Sequence, residues 1–182
     1  MRFVYTRVFL LVLLIPSLAF GENKNDLVSR EGIYYKNASD LPFTGRVTGR
    51  WEGSFKEGRK NGPWVTYYDN KKVLAKGTYN NGKRKGLWVT YYKNGQLYFK
   101  ASYKNDEADG PYFVYYSNGQ LMEKGFFVRG KMEGPSQSYS INGWLFKKGN
   151  YKNDMREGPW VLYKGIVYYK NGQLVPKRPK QQ

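Results

Sequence analysis

The sequence predicts an all-β protein: an elongated, curled single-sheet antiparallel meander of 24-residue β-hairpin repeats. Self-similarity is the first reason. A spacing of 24 aligns Gly53, Gly77, Gly125 and Gly149 in one column, with Ala101 replacing the missing glycine, and Gly62, Gly86, Gly110, Gly134 and Gly158 in an unbroken second one. Such a period is the mark of stacked supersecondary units. The second reason is turn chemistry at fixed offsets, in Lys93-Asn94-Gly95, Ser117-Asn118-Gly119 and Ile141-Asn142-Gly143. The third is composition, since Gly 21, Tyr 18, Phe 10 and Trp 5 against Pro 8 describe short strands joined by tight turns.

Each unit reads as two strands. The outgoing strand follows the second glycine and places a tyrosine five residues after it, at Tyr67, Tyr91, Tyr115, Tyr139 and Tyr163. A run such as Trp88-Val89-Thr90-Tyr91-Tyr92 then meets Asn94-Gly95, a pair that tolerates positive φ and suits a type I′ hairpin. The chain returns through Leu97-Tyr98-Phe99-Lys100, starting at the aliphatic column Val73, Leu97, Leu121 and Leu145. It runs on to an aromatic column, Phe55, Tyr79, Tyr103, Phe127 and Tyr151, and a second turn such as 80–86 leads into the next unit.

Period-two alternation divides these strands between two faces. Val89, Tyr91, Leu97, Ala101 and Tyr103 form the expected core face, where glycine in the Ala101 column leaves room for an aromatic ring to lie on the backbone. The opposite face is the candidate binding surface. It is expected to carry Trp64, Trp88, Tyr92, Tyr112 and Trp160 together with Lys76, Lys100, Lys124 and Lys148. The bland account of these aromatics is that lysine methylenes and cation–π attraction cover them, bracing a one-layer sheet.

The array does not fill the chain. Residues 1–21 read as a signal peptide: Arg2 and Arg7, an apolar run from Val8 to Ile15, Pro16-Ser17, and a cleavage site at Ala19-Phe20-Gly21. The apolar stretch ending at Phe20 falls short of the roughly 20 residues of a spanning helix. Residues 22–31 read as a flexible N-terminal segment and 32–175 as the repeat array, capped by the degenerate stretch from Gly32 to Gly45. Residues 176–182 read as a basic C-terminal tail. Near that end, Gly165-Ile166-Val167 reads as an insertion displacing the Asn171-Gly172 turn by five positions from 166.

With 31 Lys+Arg against 14 Asp+Glu the chain carries +17, a field that attracts anionic surfaces. Export makes nucleic acid an unexpected partner. There is no His and no Cys, which removes most nucleophile, disulfide and metal-site designs, so the chain reads as a non-enzyme needing no cofactor and no metal. The carboxylates Glu57, Asp106, Glu107, Asp109, Glu133, Asp154 and Glu157 cluster at the turn before the second glycine, where they solvate the turn and offset lysines. Asp106-Glu107-Ala108-Asp109-Gly110 lacks the spacing of a calcium loop.

The unit Gly77-Thr78-Tyr79, Asn81-Gly82, then Gly86-Leu87-Trp88-Val89-Thr90-Tyr91-Tyr92-Lys93-Asn94-Gly95-Gln96-Leu97 resembles the bacterial variant of the MORN repeat. The resemblance runs from about Gly32 to Leu174; the fourth unit departs from it at Ser136, Gln137 and Ser138. It implies a solenoid of β-hairpins that makes protein–protein or protein–membrane contacts, in a family often labelled as antitoxins of toxin–antitoxin pairs. With a leader, an immunity-like role outside the inner membrane is the consistent form of that label. Three binding readings follow: an acidic protein partner, an anionic envelope lipid, or an anionic glycan stacked on the aromatic column. Oligomeric state is open, because either edge of the sheet can pair with a copy of itself.

Overall fold

A computed structural model describes residues 21–176. The expected signal peptide, apart from Gly21, and the tail beyond Pro176 lie outside the described residues. The described residues form an open sheet of 15 strands in which nearly every strand pairs with its neighbour in sequence. Each central repeat supplies a hairpin: Lys83–Tyr91 with Leu97–Lys104, Glu107–Tyr115 with Leu121–Val128, Gly134–Tyr139 with Leu145–Lys152. Among the described residues all pairs are antiparallel except one, where Glu22–Asn23 lies parallel to Gly45–Thr48 at one edge. The other edge is Gln173–Val175, so the sheet is not closed on itself.

The two kinds of turn are the reverse of the expectation. Asn94-Gly95 is not a type I′ pair: Gly95 has φ 94° but Asn94 is not left-handed, and Gly95 N–H donates to Tyr92 O at 2.9 Å while Tyr92 N–H donates to Gln96 O at 2.8 Å. This is a type I turn closed by a glycine bulge, and the Asn94 side chain accepts from Gln96 N–H at 3.0 Å instead of supporting positive φ. The type I′ pairs lie in the second turn, at Asn81-Gly82 (φ 49° and 82°), Asn105-Asp106 (54° and 74°) and Asn153-Asp154 (49° and 67°). Residues 83–85, expected in that turn, are strand.

Two irregularities per repeat decide which side chains share a face. One lies at the second glycine, where Gly62, Gly86, Gly110, Gly134 and Gly158 all have positive φ (84°, 70°, 124°, 73° and 70°) and the register to the preceding strand slips. The other lies beside the hairpin turn: Thr90 pairs with Phe99 but Tyr91 pairs with Leu97, leaving Tyr98 as the bulged residue. Alternation counted back from the Tyr91–Leu97 pair would set Trp88 opposite Lys100. The extra residue shifts the phase by one and sets Trp88 opposite Ala101 and Val89 opposite Lys100. The tryptophans therefore lie on the glycine face, and Val89 and Tyr91 lie on the lysine face, which corrects the expected division.

The glycine face is a ladder of rings. Trp64 (2% exposed), Trp88 (8%) and Trp160 (0%) pack on Gly53, Gly77 and Gly149, where a Cβ would overlap the indole. The aromatic column interleaves with them, Tyr79 standing 5.7 Å from Trp64 and 4.9 Å from Trp88, edge to face. Aromatic pairs in this geometry add to the burial of each ring. At the N-terminal end the segment expected to fray is ordered: Lys24–Asp26 form a 3₁₀ turn capped by Asn23, and Leu27–Arg30 pair with Ile33–Lys36. This small sheet lays Tyr34 on Phe55 (4.8 Å), and Phe43 stands 5.7 Å from the same ring, so the cap closes the end of the ladder.

At the other end the apparent insertion is a deletion. Asn171-Gly172 is a type I′ pair, 18 residues after Asn153 rather than 24, so the last hairpin is six residues short. It turns tightly between Leu162 and Gly165, which pair with each other. Tyr169 thereby re-enters the aromatic column, 6.3 Å from Trp160.

Candidate binding face

The four predicted lysines stand in one continuous row across the sheet. The register runs Val65, Lys76, Val89, Lys100, Phe113, Lys124, Gln137, Lys148, Val161, one residue per strand. Each lysine is thus flanked on both sides by residues of the outgoing strands, mostly apolar. Lys76 and Lys148 are exposed, Lys100 and Lys124 half-buried. Rings lie beneath the ammonium groups: Lys76 Nζ is 5.6 Å from Tyr91, and Lys100 Nζ is 4.5 Å from Phe113 and 5.9 Å from Tyr115. Beside the row runs a column after the second glycine, Pro63, Leu87, Pro111, Pro135 and Pro159, where Leu87 is 58% exposed and Pro111 pairs with the 41% exposed Phe126.

The tryptophans expected beside these lysines are on the opposite face and buried. The Nε1–H groups of Trp88 and Trp160 donate to Thr78 O and Asn150 O, each at 3.1 Å, so neither indole offers a free polar handle. Cations that were not singled out in the sequence cover this face. Lys60 Nζ lies 4.8 Å from both Trp51 and Trp64 and 5.1 Å from Tyr79, Arg84 stacks on Tyr103 at 4.0 Å, and Arg156 on Trp160 at 5.0 Å. Burial lowers the Lys60 pKa, with Asp106 opposing that shift. The signal for them is their 24-residue column at the start of each outgoing strand, which reads as turn while the turn type is misassigned.

Tyr112, also expected outward, is buried by a local exchange. Its ring leans on Gly125 rather than back on position 101, where alanine occupies the space beneath. It thus takes the place that a tryptophan at 136 would fill, and Ser136 there is only 3% exposed. Its hydroxyl donates to Glu123 at 2.6 Å, and Ser138 donates to the other carboxylate oxygen at 3.0 Å. Burial and then the Glu123 hydrogen bond raise the Tyr112 pKa well above its ordinary value.

Residues 60–81, 84–105, 108–129 and 132–153 match the MORN repeat variant, a stretch spanning 94 of the 182 positions. The chain belongs to the MORN repeat variant family. The pattern continues beyond the matched units on both sides, through Gly53 under Trp64 and through Gly149 under Trp160. No curated protein matches the chain. Among solved structures, the crystal structure of the GtfA/B complex bound to UDP and GlcNAc contains a similar chain, 14% identical with a TM-score of 0.22. The match covers 82% of this chain and 28% of that one.

The second tyrosine of the MORN unit, the predicted site residue Tyr92, fastens one unit to the next. Its hydroxyl donates to Tyr115 O at 2.7 Å, as Tyr68 does to Tyr91 O at 2.7 Å and Tyr116 to Tyr139 O at 2.9 Å. Burial, followed by the neighbouring Tyr98, raises the Tyr92 pKa. The turn carboxylates have the same use. Glu133 accepts from Asn153 N–H at 2.9 Å, Glu157 from Asn171 N–H at 2.8 Å and Asp154 from Met132 N–H at 2.7 Å. Asp106 accepts from both the backbone and the guanidinium of Arg84 at 2.9 Å. Of the predicted site, then, the lysines form one surface, while the tryptophans, Tyr112 and Tyr92 belong to the packing of the repeat.

Proposed function

We propose that the chain is a non-catalytic, exported binding scaffold whose lysine row docks an acidic protein partner, in an immunity-like or antitoxin-like role outside the inner membrane. MORN repeats are consistent with a binding or scaffold role. The observation that carries the acidic partner is the unbroken alternation of lysine with Val89 and Phe113 on the face opposite the ring ladder and its N-terminal cap. Charge on such a row steers encounter, and the apolar residues between supply area that a held complex can bury. The net +17 also favours a second reading, an anionic envelope lipid or glycan.

The experiment is affinity capture from an envelope extract with the parent chain and with the variant Lys76→Gln/Lys100→Gln/Lys124→Gln/Lys148→Gln. An acidic protein held by the parent and lost by the variant is the expected result. Equal capture by both overturns the lysine row as the docking face, and recovery of lipid or glycan alone transfers the function to the second reading. Export has its own test: protein recovered outside the cytoplasm should begin at Glu22, and an intact Met1 on protein confined to the cytosol contradicts it.

A further inference from the structure

The lysine row has a pitch. Lys76, Lys100, Lys124 and Lys148 stand on every second strand. Paired strands lie about 4.8 Å apart, so successive lysines leave the sheet about 10 Å apart. A peptide laid along the row, across the strands, must present acids at that interval and on one side. A β-strand offers same-side residues about 6.7 or 13 Å apart, and neither interval fits. A polyproline II helix has three residues per turn at about 3.1 Å each, so every third side chain returns to the same side after about 9.3 Å. An α-helix returns after seven residues and about 10.5 Å, but it is a stiff rod. The row itself winds, by roughly 40–50° per repeat if each strand is rotated 20–25° from the last. A polyproline II chain has no internal hydrogen bonds to break when it bends along that path.

We infer that this face binds an extended, left-handed polyproline II segment of an acidic protein, with a carboxylate at every third residue and its axis across the strands. This rests on the acidic-partner reading above. The residues between the acids meet a surface suited to proline: Pro111, Phe126 and Pro135 on one side of the row, the Tyr91 and Tyr115 rings on the other. Aromatic and proline-lined grooves of this type take polyproline II chains, whose stiffness limits the entropy lost on binding.

The test uses the full chain and labelled peptides followed by fluorescence anisotropy at low and physiological salt. One peptide repeats Glu-Pro-Pro; a second has the same composition with its glutamates in one block; a third is helical with a glutamate every seventh residue. The periodic proline peptide is expected to bind about tenfold more tightly than the block peptide, the sum of several weak ion pairs in register. The quadruple lysine variant should lose that preference. Equal affinity for periodic and block peptides overturns the pitch but leaves acidic docking standing, and tighter binding of the helical peptide overturns the polyproline II form. If no peptide binds while vesicles containing anionic lipid do, both the inference and the acidic-partner reading fail.

Discussion

The indole of Trp160 packs on the backbone of Gly149, where a Cβ would overlap the ring, and its Nε1–H donates to the adjoining Asn150 carbonyl at 3.1 Å. Ring and glycine are therefore one unit. Gly149→Ala is expected to cost about 1–3 kcal/mol through overpacking, and Trp160→Ala about 3–5 kcal/mol. The double variant should cost clearly less than the sum, because the alanine methyl has no ring left to displace. Chemical denaturation of the four proteins measures this, and strict additivity contradicts the packing.

The departures at 101, 112 and 136 should be coupled. Ser136→Trp alone is expected to lower the melting temperature, since the Tyr112 ring already covers Gly125. Adding Ala101→Gly and Tyr112→Trp lets each ring move back onto the preceding glycine column and should recover most of the loss. A triple variant no more stable than Ser136→Trp itself would show the three positions to be independent.

Gly110 has φ 124°, outside the range that side-chain-bearing residues adopt without strain. Gly110→Val should therefore destabilise by about 1–3 kcal/mol, while Lys100→Ala, on the lysine face, should change stability little and lower affinity for an acidic ligand. Equal melting temperatures for the two variants would contradict the assigned register.

The Asp106 carboxylate is disfavoured by burial, but hydrogen bonds from the Arg84 backbone and guanidinium outweigh that and hold its pKa below the ordinary aspartate value of 3.8. With the folded value depressed, its contribution is complete above pH 3.8 and is lost as pH falls through the lower folded value. Asp106→Asn should melt below the parent at pH 7, and the difference should shrink on acidification below that range. A difference that persists unchanged at pH 2 would place the effect elsewhere than in the charge.

Much of this architecture was legible in the sequence, and most of the part that was not has one cause. The 24-residue columns announced the hairpins, and the first glycine column announced the close backbone approach found at Gly77. The lysine row was visible as a column. Which face carried the tryptophans was not, because alternation within one strand leaves the phase relative to its partner free, and a single bulged residue, Tyr98, sets it. The cations over the rings were hidden by the same gap, since Lys60, Arg84 and Arg156 look like turn residues until the type I′ pair is placed at its true position. Glu22 to Arg30 carries too few apolar residues to signal order, which comes from pairing with Ile33–Lys36 and Gly45–Thr48.

The tyrosine hydroxyls of Tyr68, Tyr92 and Tyr116 all reach forward, to a carbonyl 23 residues later in the chain. Each hairpin can close its own turn, but the carbonyl that locks it belongs to its successor. The relay stops where Ser140 follows Tyr116 in the column and the shortened final hairpin has no equivalent turn. The tyrosine relay thus ends at a lost phenol ring, although the ring ladder runs on to Trp160 over Gly149.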